Sequence, residues 1–267
     1  MPTATNSLER ALALLKLVEQ TRGGLRHTDI SRLLKIPRSS CSYILRRLER
    51  EGYVICDQDT GRYRIGLTTV ALAHGALREI GIRSVAEPAL YKLTSETGLS
   101  AGIGVLERGR VLLVDRVEGP RFVSNAVQTP AQGRASYRVR EQRDIGRELP
   151  AHSTALGKVL LAYLPLHQVL EVIAQSGLLR STPRTITSKA KFLAELELVR
   201  KQGYAIADQE EYLGLRSLSA PIFDVDGAVR AAVSVNGSPS EPVWNNLDDL
   251  IKLVEAAGRD ISRRARF

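Results

Sequence analysis

Between Arg38 and Arg47 the sequence reads RSSCSYILRR, and its side chains divide into two chemistries. On a helix, Cys41, Ile44, Leu45 and Leu48 recur at i, i+3, i+4 and i+7 and form an apolar stripe. Ser39, Ser42, Tyr43 and Arg46 cluster on the opposite side. A solvated helix face ordinarily mixes Glu, Lys and Gln; this one begins with short hydroxyls and ends in arginines. Small residues at a helix N-terminus let it enter a major groove closely, and hydroxyls meet base edges or phosphates. Arg46 and Arg47, one turn on, are placed for a guanine edge or the phosphate backbone. Arg62 and Arg64 alternate in a short strand pattern, so both point to one face, where a second phosphate strand would run. Thr28, Arg38 and Ser40 complete the candidate nucleic-acid contacts. A basic helix face taken alone is more often merely solvated, so the surrounding elements have to decide.

A second set of residues could be read as catalytic. His152, Asp208, Glu210 and Glu211 assemble on paper into a metal or general-base site, but without the ligand spacing of a motif such as HExxH. The plainer expectation is that His152 orients the loop before a helix and that Glu210 and Glu211 brace the following turn. Ser153 and Thr154 precede ALGK, but the first glycine and the Lys-Ser/Thr pair of a phosphate loop are absent. Ser234 lacks the G-x-S-x-G elbow of a hydrolase nucleophile. Catalysis, a metal and a cofactor are therefore not expected. The competing function is a small-molecule-processing enzyme with an accessory nucleic-acid-binding domain.

The elements around the first set favour DNA. Asn6 followed by Glu9 is a capping-box pattern, and Leu8, Ala11, Leu12, Leu15 and Val18 then repeat at helical spacing. TRGG ends that helix, and a second begins near Thr28 with Ile30, Leu33 and Leu34 inward. Pro37 disfavours helical geometry at Ile36 and separates it from the third helix, which Gly52 closes. YVICDQ and RYRIGL flank a DTG turn and predict a β-hairpin. Three helices and a hairpin in this order predict a winged helix-turn-helix.

Charge points the same way. Residues 1–83 hold 14 Lys/Arg against 8 Asp/Glu, and the remaining 184 residues hold 24 against 21, out of a net +9. The excess is several times denser at the front, which suggests an anionic partner there. No apolar run approaches the roughly 20 residues of a membrane span, and no signal-peptide pattern is visible, so a cytoplasmic protein is expected. Cys41 and Cys56 are too few for a disulfide framework or a zinc site. Cys41, on the apolar helix face, is expected as a buried free thiol.

Residues 66–82 read as a helix with Leu67, Val70 and Leu77 apolar, a linker suited to packing against a twin chain. From about Ser84, helix and strand alternate. SVAEPALYKLTSETG, TALGKVLLAYL, KAKFLAELELVRKQG and NNLDDLIKLVEAAGRDISRRA read as helices. LSAGIGVLERGRVLLVDRVEG and SLSAPIFDVDGAVRAAVSVNG read as strand pairs. Residues 120–150 are polar and arginine-rich, without a period, and predict a long, partly mobile excursion. The expected class is α+β, with a sensor-like second domain whose sheet is partly antiparallel.

The stretches SLERALALLKLV, IPRSSCSYILRRLEREGYV, GRYRIGL, LPAHSTALGKVLLAYL, GYAIADQEEYLGLRSLSAPIFD and AAVSVNG share an order and spacing with a known family. Over nearly its full length the sequence resembles the IclR family of bacterial transcription regulators. The resemblance implies a winged helix-turn-helix over 1–66, a linker helix over 67–83, and a GAF-like effector-binding and oligomerisation domain over 84–267. It also implies a homodimer or tetramer on double-stranded operator DNA, acting as repressor or activator. The effector would be a small organic acid, with aromatic acids in the family's range. Position by position it implies an effector site at Ala155 and Leu156 in the turn before a helix, Asp208 in an acidic loop, Leu215 and Ser217, and Ser234 and Asn236 on one strand face. Ser217 stands where the family often has Cys, and Asn236 where a second small hydroxyl is common. The path through RFVSNAVQTPAQGRASYRVRE is longer than the family's usual one.

Overall fold

The computed structural model describes residues 6–120 and 145–265, with only the backbone described at 77–80. Most of the excursion expected over 120–150 lies outside the described residues. The chain divides into two compact units, Met1–Glu79 and Ile80–Phe267.

In the first unit, helix α1 (Ser7–Glu19) starts at the expected capping box: Asn6 Oδ1 accepts from the Glu9 amide at 2.9 Å, and Glu9 Oε2 accepts from the Asn6 amide at 3.4 Å. Strand β1 (Leu25–Arg26) and helix α2 (His27–Leu34) follow. Lys35 turns the chain in a left-handed conformation, φ 54°, and Pro37 caps helix α3 (Arg38–Arg50). Strands β2 (Val54–Asp57) and β3 (Arg62–Ile65) form the hairpin, in register from Val54–Ile65 to Asp57–Arg62. β1 adds to it as a third strand against β3, which the sequence reading missed because two residues carry no period. Leu14, Val18, Ile30, Ile36, Cys41, Ile44, Leu45 and Val54 make the core, so the apolar stripe of α3 is buried as its spacing requires. At the base of the wing a Cβ on Gly66 would sit 2.1 Å from the Gly52 carbonyl oxygen, so the two ends of the hairpin meet only through glycine. Helix α4 (Thr68–Ile80), expected as a linker, belongs almost wholly to this unit.

The second unit begins with helix α5 (Ile82–Thr97), ended by Gly98 at φ 70°. Strands β4 (Ser100–Glu107), β5 (Arg110–Val117) and β6 (Glu148–Pro150) follow, then helices α6 (Ala155–Ala162), α7 (Leu166–Ser176) and α8 (Lys189–Gln202). Strands β7 (Ala205–Asp208), β8 (Arg216–Phe223) and β9 (Val229–Gly237) precede a 3₁₀ turn at Pro242–Asn245 and helix α9 (Leu247–Arg264). The sheet order is β6-β5-β4-β9-β8-β7. Every described pairing in it is antiparallel, where the sequence suggested only a partly antiparallel sheet.

Helix α9 packs on the face carrying Ala220, where a Cβ on Gly258 would touch the Ala220 methyl. The other face, with Val111, Leu113, Ala207 and Ala232, packs against Leu156, Val159 and Leu160 of α6 and Phe192, Leu196 and Val199 of α8. Central strand β4 is buried over its first five residues, as a strand covered on both faces must be. Helix α7 went unread, although Leu166, Val169, Leu170 and Ile173 have helical spacing. Among the described residues no helix is long and apolar enough to cross a membrane.

Candidate functional site

In the first unit α2 and α3 form the helix-turn-helix, and a hollow opens between α3 and the wing. Arg26, His27, Thr28, Ser42, Arg46 and Tyr63 line it. Arg38, Ser39, Tyr43 and Arg47 are exposed on α3 outside the hollow, and Ser40 is half-buried. Arg46 is held against its own helix by a bond from Nε to the Ser42 carbonyl, 3.3 Å. The two wing arginines share the exposed face of β3, but each is engaged: Arg62 Nη1 donates to the Gly24 carbonyl at 2.9 Å, and Arg64 Nη2 pairs with Asp57 Oδ2 at 2.8 Å. The Thr60 amide and hydroxyl, ahead of Arg64, hold the Asp57 carboxyl below its ordinary range. An exposed pair of this kind stabilises little, because water screens it. Arg26 and His27 were not anticipated. Their place at the start of α2 gives them the hollow, and the only signal was LRHTD ahead of a short helix.

The second unit encloses a cavity between the sheet and the first turn of α6. Ala155, Leu156, Leu215, Ser217, Ser234 and Asn236 line it, together with Gly102, Leu113, Leu149 and Ala207. Ser217 and Asn236 are paired neighbours on β8 and β9, and Ser234 lies beside Gly102 of β4. Ala155 and Leu156 are not in a turn but begin α6, which Thr154 caps: its Oγ1 accepts from the Gly157 amide at 3.2 Å and donates to the Pro150 carbonyl at 2.7 Å. A Cβ on Gly157 would lie 2.1 Å from the Ala151 carbonyl oxygen, so glycine lets the helix start this close to the preceding strand.

Asp208 does not reach the cavity. IADQ is a strand end rather than a loop, and β7 pairs with β8 so that Ala207 lies beside Ser217 and Asp208 beside Arg216. Successive strand residues face opposite sides, so Ala207 faces the cavity and Asp208 turns away to pair with Arg184. The acidic groups at the cavity are instead Glu210 and Glu211.

Two arginines also line it. Arg116 reaches it because β5 bulges against β4: Gly104 pairs with Leu113 and Gly102 with Arg116, which brings both onto one face. Its Nη2 lies 3.5 Å from Asn236 Oδ1. Arg147 donates from Nη2 to the Tyr212 hydroxyl at 2.7 Å, with its guanidinium carbon 5.9 Å from the ring centroid. Period-two counting puts Leu113 and Arg116 on opposite faces, so nothing local in the sequence revealed Arg116.

Beneath the cavity Lys158 is buried and donates to Glu210 Oε1 at 2.6 Å, Glu195 Oε1 at 2.9 Å and the Ile206 carbonyl at 3.0 Å. Burial raises the Glu210 carboxyl above its ordinary range, opposed by the Lys158 ammonium. His152 Nε2 bonds to the Leu179 carbonyl at 2.9 Å, edge-on to Phe192, and Glu211 Oε2 accepts from Ser153 and Ser181. These contacts tie loops to α6, and they leave His152 apart from the cavity.

The description Bacterial transcriptional regulator IclR C-terminal matches residues 74–263, and IclR helix-turn-helix domain matches residues 7–57. Over 257 residues, 96% of this chain and 96% of the relative, the sequence is 30% identical to the HTH-type transcriptional regulator XynR of Escherichia coli (strain K12). The crystal structure of Thermotoga maritima IclR aligns with a TM-score of 0.72 at 26% identity, over 98% of this chain and 99% of that one. The inducer-binding domain of the PobR transcription factor from Acinetobacter, solved as a double mutant with 3-hydroxybenzoic acid, aligns with a TM-score of 0.56 at 28% identity, over 68% of this chain and 97% of that one. With a helix-turn-helix domain and an IclR C-terminal domain matched in the same order, the chain belongs to the IclR family of bacterial transcriptional regulators.

Proposed function

We propose that a small organic acid bound in the second unit's cavity controls this regulator's affinity for operator DNA. The observation that carries this reading is the cavity wall. Arg116, Arg147 and the first turn of α6 supply positive charge, Ser217, Ser234 and Asn236 supply short polar groups, and Leu113, Leu149, Leu156 and Leu215 supply apolar surface. A helix start and guanidinium groups favour a carboxylate, while apolar walls take a hydrocarbon body. The 3-hydroxybenzoic acid held by the PobR domain is a molecule of this kind.

On this reading residues 1–66 bind double-stranded DNA in the cytoplasm, 67–83 link, and 84–267 bind effector and oligomerise. α3 enters the major groove with Ser39, Ser42, Tyr43 and Arg46, while Thr28, Arg38, Ser40 and Arg47 meet the backbone beside it. Arg62 and Arg64 of the wing approach a neighbouring phosphate strand. Two such units related by a dyad would read two half-sites, as a homodimer or tetramer provides. The test is an operator titration, after selection from random DNA, with and without a panel of carboxylic acids, each recovered and analysed afterwards. A regulator changes its operator affinity and returns the acid unchanged. Conversion of the acid, or no acid altering DNA affinity or melting temperature, refutes the reading.

A further inference from the structure

Among the described residues, Glu210 Oε2 is the only carboxylate oxygen that is buried and without a hydrogen-bond partner. Glu210 is 7% exposed and lines the cavity. Its other oxygen takes the Lys158 ammonium, and Oε2 is left with no hydrogen-bond partner. Lys158 cannot supply a second bond, because its other donations go to Glu195 and the Ile206 carbonyl. The neighbouring Glu211 differs, since its Oε2 already receives Ser153 and Ser181. Buried acceptors are almost always satisfied, and one left without a partner on a residue that lines a cavity calls for a donor from outside the chain.

We propose that Glu210 Oε2 receives a hydroxyl group of the effector, so that the cavity selects a hydroxylated carboxylic acid over the same acid without the hydroxyl. This rests on the cavity being the effector site. The donor is a hydroxyl rather than an ammonium, because Lys158 already stands 2.6 Å from the other carboxylate oxygen and Arg116 and Arg147 line the same space. A further cation would meet three. The acid's own carboxylate belongs with the two arginines and the start of α6, and its hydroxyl then spans to Glu210. Sites that hydrogen-bond a substrate hydroxyl strongly reject analogues lacking it, because the protein's polar group stays unpaired.

Calorimetry of the full chain with matched acids tests this: 4-hydroxybenzoate, benzoate and 4-methoxybenzoate, and lactate, propionate and pyruvate. In at least one series the hydroxylated acid should bind about tenfold or more tighter than its two analogues. In Glu210→Gln the amide carbonyl keeps Lys158 and the NH₂ replaces Oε2, so the preference should vanish or pass to the methoxy or oxo acid. Binding within about twofold across each series in wild type, or an unchanged preference in a folded Glu210→Gln, overturns the proposal. If Glu210→Gln does not fold, the wild-type ratios decide alone. Acids that bind without hydroxyl preference sink only this inference, whereas no binding by any acid sinks the cavity reading with it.

Discussion

Lys158 Nζ and Glu210 Oε1 lie 2.6 Å apart, the first on α6 and the second just after β7. The Lys158 side chain is 1% exposed, so this ion pair joins α6, α8 through Glu195, and the edge of β7 away from water. Removing the cation would strand two carboxylates. Lys158→Met should destabilise the second unit by about 3–5 kcal/mol, the scale for breaking one partner of a buried pair. Denaturant titration followed by circular dichroism measures it, and a loss under about 1 kcal/mol would show that the pair is solvated in solution.

The same pair sets a pH dependence. Glu210 holds its proton more tightly in the folded chain than at its ordinary value of 4.5, because burial outweighs the attraction of Lys158. Its contribution to stability is therefore full below that value and is lost as pH rises through the raised one. The melting temperature of wild type minus that of Glu210→Gln should fall as pH rises from about 4 to about 7. A difference that grows over this range contradicts the assignment.

Arg46→Ala should weaken operator binding by about 1–3 kcal/mol and relax preference at one base pair if Arg46 reads a base edge. If it meets only phosphate, the loss should be uniform across sequences and the salt slope should drop by about one unit. Unchanged operator affinity would remove α3 from the groove.

Asp208 and Asn236 should separate in their effect on regulation. Asn236→Leu alters the cavity wall and should reduce the ligand's effect on DNA affinity, against a normal coupling of about 1–3 kcal/mol. Asp208→Ala, which removes the pairing with Arg184 and the bond from Gln209 Nε2 outside the cavity, should respond to ligand like wild type. Operator titrations with a bound acid identified by calorimetry distinguish them, and the reverse pattern would place the site on the other side of β7.

Leu67, Val70 and Leu72 are exposed, Leu67 by 82%, around the start of α4. A helix with that much open apolar surface is suited to a partner. Light scattering should give a dimer or tetramer for wild type and smaller species for a Leu67→Glu, Val70→Glu double variant. A wild-type monomer at micromolar concentration refutes the assembly.

What the sequence determined by itself was local. The capping box at Asn6, the break at Pro37, the stripe through Cys41, Ile44 and Leu45, and the wing turn each follow from steric and hydrogen-bonding preferences within a few residues. The shared face of Ser234 and Asn236 is equally local, because a strand alternates with period two. Tertiary structure decided what depends on pairing. A bulge between β4 and β5 carries Arg116 into the cavity against the period, and the register of β7 on β8 puts Ala207 there in place of Asp208. Lys158 looked like one more helix residue, and the burial of its ammonium among Glu195, Glu210 and Ile206 joins groups up to 52 positions apart. Such contacts are fixed by how sheet and helices pack, and no window of neighbouring residues records them.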